Sequence, residues 1–213
     1  MTNRPTTEDL IHRLATAPPP ARLSARGATG TLLGAAAATV GLFLLLVGPR
    51  ADLLPALADP QVLAKLVLPV ALSVPALWLA LRSARPGARL PLWVLALPAL
   101  VAAGLFLARL VQTPPGLIAP GILGHSAAAC LLSITALSSP AIALGLTLFR
   151  RGAALRPALT GGLIGLAASA GVTAGYALHC NEDSPLFFTT WYGLAILICT
   201  TAGALAGRRL LRW

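Results

Sequence analysis

The chain has 213 residues, of which 57% are hydrophobic and only 10% charged, against roughly 25% charged in an ordinary soluble domain. That composition excludes a soluble enzyme, a disordered chain and a disulfide-stapled secreted domain, and the apolar runs are too continuous for the alternating strands of an outer-membrane barrel. The formal charge of +10 would suggest nucleic acid in a soluble protein. Here fifteen of the sixteen basic residues are arginines, set in short clusters between apolar runs, which is the pattern of a multi-pass membrane protein and not of a direct nucleic-acid binder.

Residues 1–27 form a polar, Pro-rich leader. Within it, Thr6 to Ala15 read as a short helix: Thr6 or Thr7 can cap it, and Glu8 and Asp9 suit its first turn. Leu10, Ile11 and Leu14 fall on one face, and Pro18-Pro19-Pro20 stops it. About ten residues make a marginal helix in water, so this face is either disordered or ordered by a partner. The apolar runs then follow at about 29–47, 62–81, 92–111, 126–149, 158–178 and 186–207, each long enough to cross a bilayer. The first run is too long for a cleavable signal and follows a long polar segment. The expected organisation is therefore a leader, 1–27, and an all-α domain of six transmembrane helices, 28–213.

Arginine counts orient the helices. Arg4, Arg13, Arg22 and Arg26 precede the first span, Arg82, Arg85 and Arg89 follow the second, Arg150, Arg151 and Arg156 follow the fourth, and Arg208, Arg209 and Arg212 follow the sixth. Arg50, Lys65 and Arg109 are the basic residues of the other side. The bias places both termini in the cytoplasm, and Asp52, Asp59, Glu182 and Asp183 outside. Lys65 and Arg109 stand near outer span ends, where both can snorkel to the surface. Pro69, Pro75, Pro98 and Pro140 should bend their spans. Trp93, Trp191 and Trp213 sit where interfacial anchors sit. Glycines four apart (Gly30/Gly34, Gly161/Gly165, Gly171/Gly175, Gly203/Gly207) suit close helix contact, within the bundle or across a dimer.

Chemistry-bearing residues are few. Cys130 lies near the outer end of the fourth span, Cys180 at the outer end of the fifth, and Cys199 deep in the sixth, where it reads as packing. Counting outward from the intervening loop leaves Cys130 and Cys180 about 6 Å apart in depth at 1.5 Å per residue. A disulfide, a shared metal and plain burial all remain open for that pair. His125, His179, Glu182 and Asp183 lie at similar depth and could join the thiols in a soft metal or redox site, although no Cys-x-x-Cys or closed histidine spacing marks one. Catalytic and phosphate-binding motifs are absent, so neither enzyme activity nor a cofactor is expected.

The stretch Ala177-Leu178-His179-Cys180-Asn181-Glu182-Asp183-Ser184, followed by Trp191-Tyr192-Gly193 and the ending Gly207-Arg208-Arg209-Leu210-Leu211-Arg212-Trp213, resembles the NrsF family. These are bacterial six-span membrane proteins, negative regulators of the extracytoplasmic-function sigma factor F. Leu10-Ile11-x-x-Leu14-Ala15 and the Cys130 region fit the same pattern, so the resemblance covers essentially the full chain. It implies an anti-sigma factor that holds its sigma factor at the inner membrane. It also implies two outward-facing cysteines that sense heavy-metal or oxidative stress, which map onto Cys130 and Cys180. Leu10, Ile11 and Leu14 are then the candidate sigma contacts. A small-solute or ion transporter is the alternative, and it would need polar residues at mid-membrane where Leu, Ala, Val and Gly dominate. Pro140 makes the fourth and fifth spans the expected route by which a signal crosses the bilayer.

Overall fold

The computed structural model describes residues 6–16 and 23–212. Arg4, Pro18–Pro20, Arg22 and Trp213 lie outside the described residues, and of Leu14 only the backbone is described. Nine α-helices run through those residues: α1 (Thr7–Thr16), α2 (Ala25–Val47), α3 (Leu53–Ala56), α4 (Pro60–Ser83), α5 (Ala96–Gln112), α6 (Pro115–Leu123), α7 (Ala127–Phe149), α8 (Pro157–Tyr176) and α9 (Pro185–Leu210), with a 3-10 turn, Leu92–Leu95, leading into α5. Six segments are long and apolar enough to span a membrane: α2, α4, α5 with its leading turn, α6 with α7, α8 and α9. Each overlies one of the six apolar runs.

Two short helices are additions to that reading. Residues 112–125 fall between two of the apolar runs, yet α6 forms there, started by Pro115 at the first helical position, where its missing N–H costs nothing. Gly124 ends α6 at φ +53°, and a Cβ there would lie 2.4 Å from the Phe187 ring, so this corner needs glycine twice over. The four-residue α3 fills the connection between α2 and α4.

The centre of the bundle is α8, whose sequence is mostly Gly, Ala, Ser and Thr. Without a hydrophobic drive between helices in lipid, small residues decide which helices touch most closely. A Cβ on Gly161 would lie 2.2 Å from the Gly203 carbonyl oxygen, and one on Gly203 would lie 2.5 Å from the Gly161 carbonyl oxygen. The Gly161/Gly165 and Gly203/Gly207 pairs thus interlock α8 with α9 inside one chain. Gly175 receives Val40 of α2, whereas Gly30 and Gly34 meet nothing within 4 Å. Ser73 of α4 donates to the Ala167 carbonyl of α8 at 2.7 Å, while Ser169 and Thr173 donate within α8 itself.

Two cores stack along the bundle. Ala28, Leu32, Leu79, Leu146, Phe149 and Ile164 form the one nearest the leader. Cys130, Ile134, Tyr176, Cys180, Phe187 and Tyr192 form the other. The ends are tied separately: Ala153 N–H donates to the Ala84 carbonyl at one, and Arg50 N–H to the Leu178 carbonyl at the other. The helices are not held equally. Only Ala28 and Leu32 of α2 and only Pro98 of α5 are buried, against thirteen residues of α8.

Candidate functional site

The site begins with a helix start and a helix end. Ser126 precedes the first residue of α7 without a side-chain cap bond, and Cys130 N–H donates to the Ser126 carbonyl at 2.8 Å, which places Cys130 in the first turn facing inward. At the same end of the bundle α8 stops at Tyr176, and the chain turns through Ala177 to His179, with the Cys180 N–H reaching back to the Tyr176 carbonyl at 3.3 Å. The sulfurs of Cys130 and Cys180 lie 3.7 Å apart, both as buried free thiols. The depth mismatch counted along the sequence disappears because Cys180 follows the helix in a turn, where residues no longer rise 1.5 Å each. Cys199 is buried elsewhere, in α9.

Two phenols close over the thiols. The Tyr176 hydroxyl donates to the Cys130 sulfur at 3.4 Å, and the rings of Tyr176 and Tyr192 stand edge to face with centroids 6.2 Å apart. The Tyr192 hydroxyl, buried in the same cluster, has no hydrogen-bond partner among the described residues. The Cys180 thiol is held below its ordinary value, first because the Cys130 thiol donates to its sulfur; burial opposes this, and the Lys65 charge adds to it.

The loop that carries Cys180 is fastened by two buried cations. Lys65 is 0% exposed. Its ammonium donates to the Cys180 carbonyl at 2.5 Å, to Asp183 Oδ1 at 2.6 Å and to the Glu182 carbonyl at 3.3 Å. Arg50 grips Asp183 through both carboxylate oxygens, at 2.8 and 3.0 Å, and also binds Asp52. Burial pushes the Asp183 carboxyl up, but the bonds from Arg50 and Lys65 outweigh it, so its pKa falls below the ordinary carboxylate value. The His179 ring donates from Nδ1 to the Gly48 carbonyl at 2.7 Å and packs edge-on against Phe43.

The family model described as negative regulator of sigma F, NrsF, matches residues 14–213. The chain belongs to the NrsF family. A relative named probable anti-sigma-F factor NrsF, from Azospira oryzae, is 36% identical over 216 aligned positions, covering 97% of this chain and 99% of that protein. The anti-sigma-F factor NrsF of Caulobacter vibrioides is 41% identical over 90 residues, 42% of each chain. No solved structure matches.

Within this NrsF chain the sequence-derived site residues separate into three groups. Cys130 and Cys180 meet. His125, His179, Glu182 and Asp183 surround the loop without joining the sulfurs in a donor set: among the described residues no three His, Cys, Asp or Glu side chains gather as a metal site. The His125 side chain is 99% exposed and lies 3.4 Å from Glu182, whose carboxylate accepts the His125 backbone N–H at 2.8 Å. Leu10 and Ile11 are exposed on α1, at 51% and 54%, and both precede the segment that the family model matches.

Several residues act differently from their sequence reading, or were not singled out at all. Lys65 does not snorkel to water; it is sealed inside the loop clamp. Trp191 is no free interfacial anchor, since its indole N–H donates to the Ile122 carbonyl at 2.7 Å and pins α6 to α9. Tyr176 and Tyr192 carried no signal beyond the Trp-Tyr pair of the family pattern. Arg50 was counted as a stray outer charge. The one hint for Arg50 and Lys65 was that basic residues are rare on that side while acidic ones gather there.

Proposed function

We propose that this chain is a membrane anti-sigma factor of the inner membrane, with both termini cytoplasmic. It sequesters a sigma factor of the extracytoplasmic-function class and releases it when the thiols of Cys130 and Cys180 react. Membership of the NrsF family supports the partner class, and the single observation that carries the sensing reading is the pair of free thiols 3.7 Å apart. Losing one proton each, the two sulfurs can hold one soft metal ion between them. Losing two electrons as well, to an oxidant such as a peroxide, they join as a disulfide. Among the described residues no third donor joins the pair, which favours a thiophilic ion content with two ligands over a tetrahedral one.

Geometry supports the division of labour. With six spans, α1 precedes the bundle at one end and the Cys180 loop closes the other. The leader, residues 1–27, carries the sigma contacts through Leu10, Ile11 and Leu14, an amphipathic face laid into a partner groove. The transporter alternative fares worse. A cavity of about 630 Å³ lies between α4, α5, α8 and α9, but its wall is almost wholly apolar, including Leu68, Phe106, Leu166 and Ile196. The hydroxyls of Thr189, Thr190 and Thr200 beside it are spent on carbonyls of their own helix, so it offers a solute no polar path.

The test is co-purification of a sigma factor with the intact protein from detergent, repeated on a chain lacking residues 1–20. Retention by the full chain and loss by the truncated one is the expected result. Equal recovery from both would move the contacts to the Arg-rich loops.

A further inference from the structure

We propose that Arg50 and His179 are the positioning residues that fasten the Cys180 loop to α2, and that α2 carries the state of the thiols to the leader. This rests on the sensing reading above and names the element that reads the sensor.

The contacts converge on a short piece of chain. Cys180 lies between Leu178, His179 and Asp183, and each of these is bonded to the residues that follow α2. Arg50 N–H donates to the Leu178 carbonyl at 3.0 Å, the Arg50 guanidinium holds the Asp183 carboxylate and reaches the Cys180 carbonyl at 3.5 Å, and His179 Nδ1–H donates to the Gly48 carbonyl at 2.7 Å. Gly48 ends α2 at φ +89°, a conformation that side-chain-bearing residues avoid, and this turns its carbonyl toward His179. Any change in the 3.7 Å separation of the sulfurs that displaces Cys180 therefore pulls on the end of α2 through five hydrogen bonds.

A relay also needs an element able to take two arrangements. The sequence pointed to the fourth and fifth spans and the Pro140 bend, now α7 and α8. Those two helices place fully buried residues in both cores, whereas α2 reaches the second core only through the partly buried Phe43. By contrast α2 buries only Ala28 and Leu32, near its start, and meets α8 further along through Val40 against Gly175. It is a continuous helix of 23 residues, so a tilt imposed at Gly48 is expressed at Ser24, where the leader joins. Few buried contacts make such a tilt inexpensive.

The experiment uses the full-length protein carrying Cys199→Ser, in proteoliposomes with its sigma factor bound, and mercuric ion as the probe. Arg50→Met removes the guanidinium's bonds to Asp183 and the Cys180 carbonyl yet leaves Asp183 paired with Lys65, so no buried carboxylate is stranded. His179→Phe keeps the ring against Phe43 and removes the bond to Gly48. In both variants the thiols should still bind mercuric ion and react with maleimide at no less than the parent rate, while mercury-driven sigma release falls about fivefold or more, the lower edge of ordinary allosteric coupling. Release at the parent level from both variants overturns the α2 relay and leaves the sensing reading intact. Loss of thiol reactivity in both variants also overturns it, because Arg50 and His179 would then only hold Cys180 in place. If the parent itself shows no release that depends on Cys130 and Cys180, the sensing reading falls and this inference falls with it.

Discussion

Replacing Lys65 with Met isolates the energetic role of a charge buried at the end of the bundle. Methionine keeps most of the apolar stem, so packing against α4's neighbours survives and the ammonium alone is lost. The Cys180 carbonyl then keeps only the Arg50 contact at 3.5 Å in place of a 2.5 Å bond, and leaving a buried acceptor so poorly satisfied costs about 1–3 kcal/mol. Asp183 retains Arg50, and its side chain is 28% exposed, so the lost ion pair adds only up to about 1 kcal/mol. The sum, about 1–4 kcal/mol, corresponds to a fall in melting temperature of roughly 2–15 °C for a chain of this size. Thermal unfolding in detergent measures it, alongside the maleimide rate of Cys180, which should rise as the loop loosens. The double variant Lys65→Met/Asp183→Asn completes a thermodynamic cycle, and a coupling of roughly 1 kcal/mol is expected for groups in one network. A Lys65→Met protein that melts with the parent and alkylates no faster would show that the ammonium does not hold the loop.

Four further outcomes follow from the same geometry. Leu10→Asp together with Leu14→Asp should abolish sigma-factor recovery in a pull-down while membrane insertion stays normal. Serine at Cys130 or Cys180 should abolish the reporter response to a thiophilic metal, and serine at Cys199 should leave it unchanged. Gly161→Ala drives a methyl into the Gly203 carbonyl, which should cost about 1–3 kcal/mol in detergent unfolding and force α8 from α9. Because the Asp183 carboxyl sits below its ordinary value of 3.8, its stabilising contribution is complete above that pH and fades only as the pH falls through the lower folded value; a melting-temperature profile that Asp183→Asn flattens at the acid end checks this.

Much of this protein was legible in the sequence because a bilayer imposes severe local rules. Runs of about 20 apolar residues, separated by arginine clusters, can hardly be anything but spans, and α2, α4, α5, α7, α8 and α9 fall on them within a few residues. The thiol pair was visible as a coincidence of depth, and the amphipathic α1 as a periodicity. Local patterning could not reveal which charges meet. Arg50 and Asp183 are 133 residues apart in sequence, and Lys65 and Cys180 are 115 apart. Whether such groups are stranded in lipid, raised to the surface or sealed in a clamp depends on which helix ends the bundle brings together. That in turn was decided by close packing: the glycines that let α8 and α9 touch backbone to backbone draw α8 to the centre, and the loop after α8 then lands between Gly48 and Lys65. Hydropathy has no sign for such a choice, since every apolar face is equally content in lipid, and only the shape of the assembled helices discriminates among them.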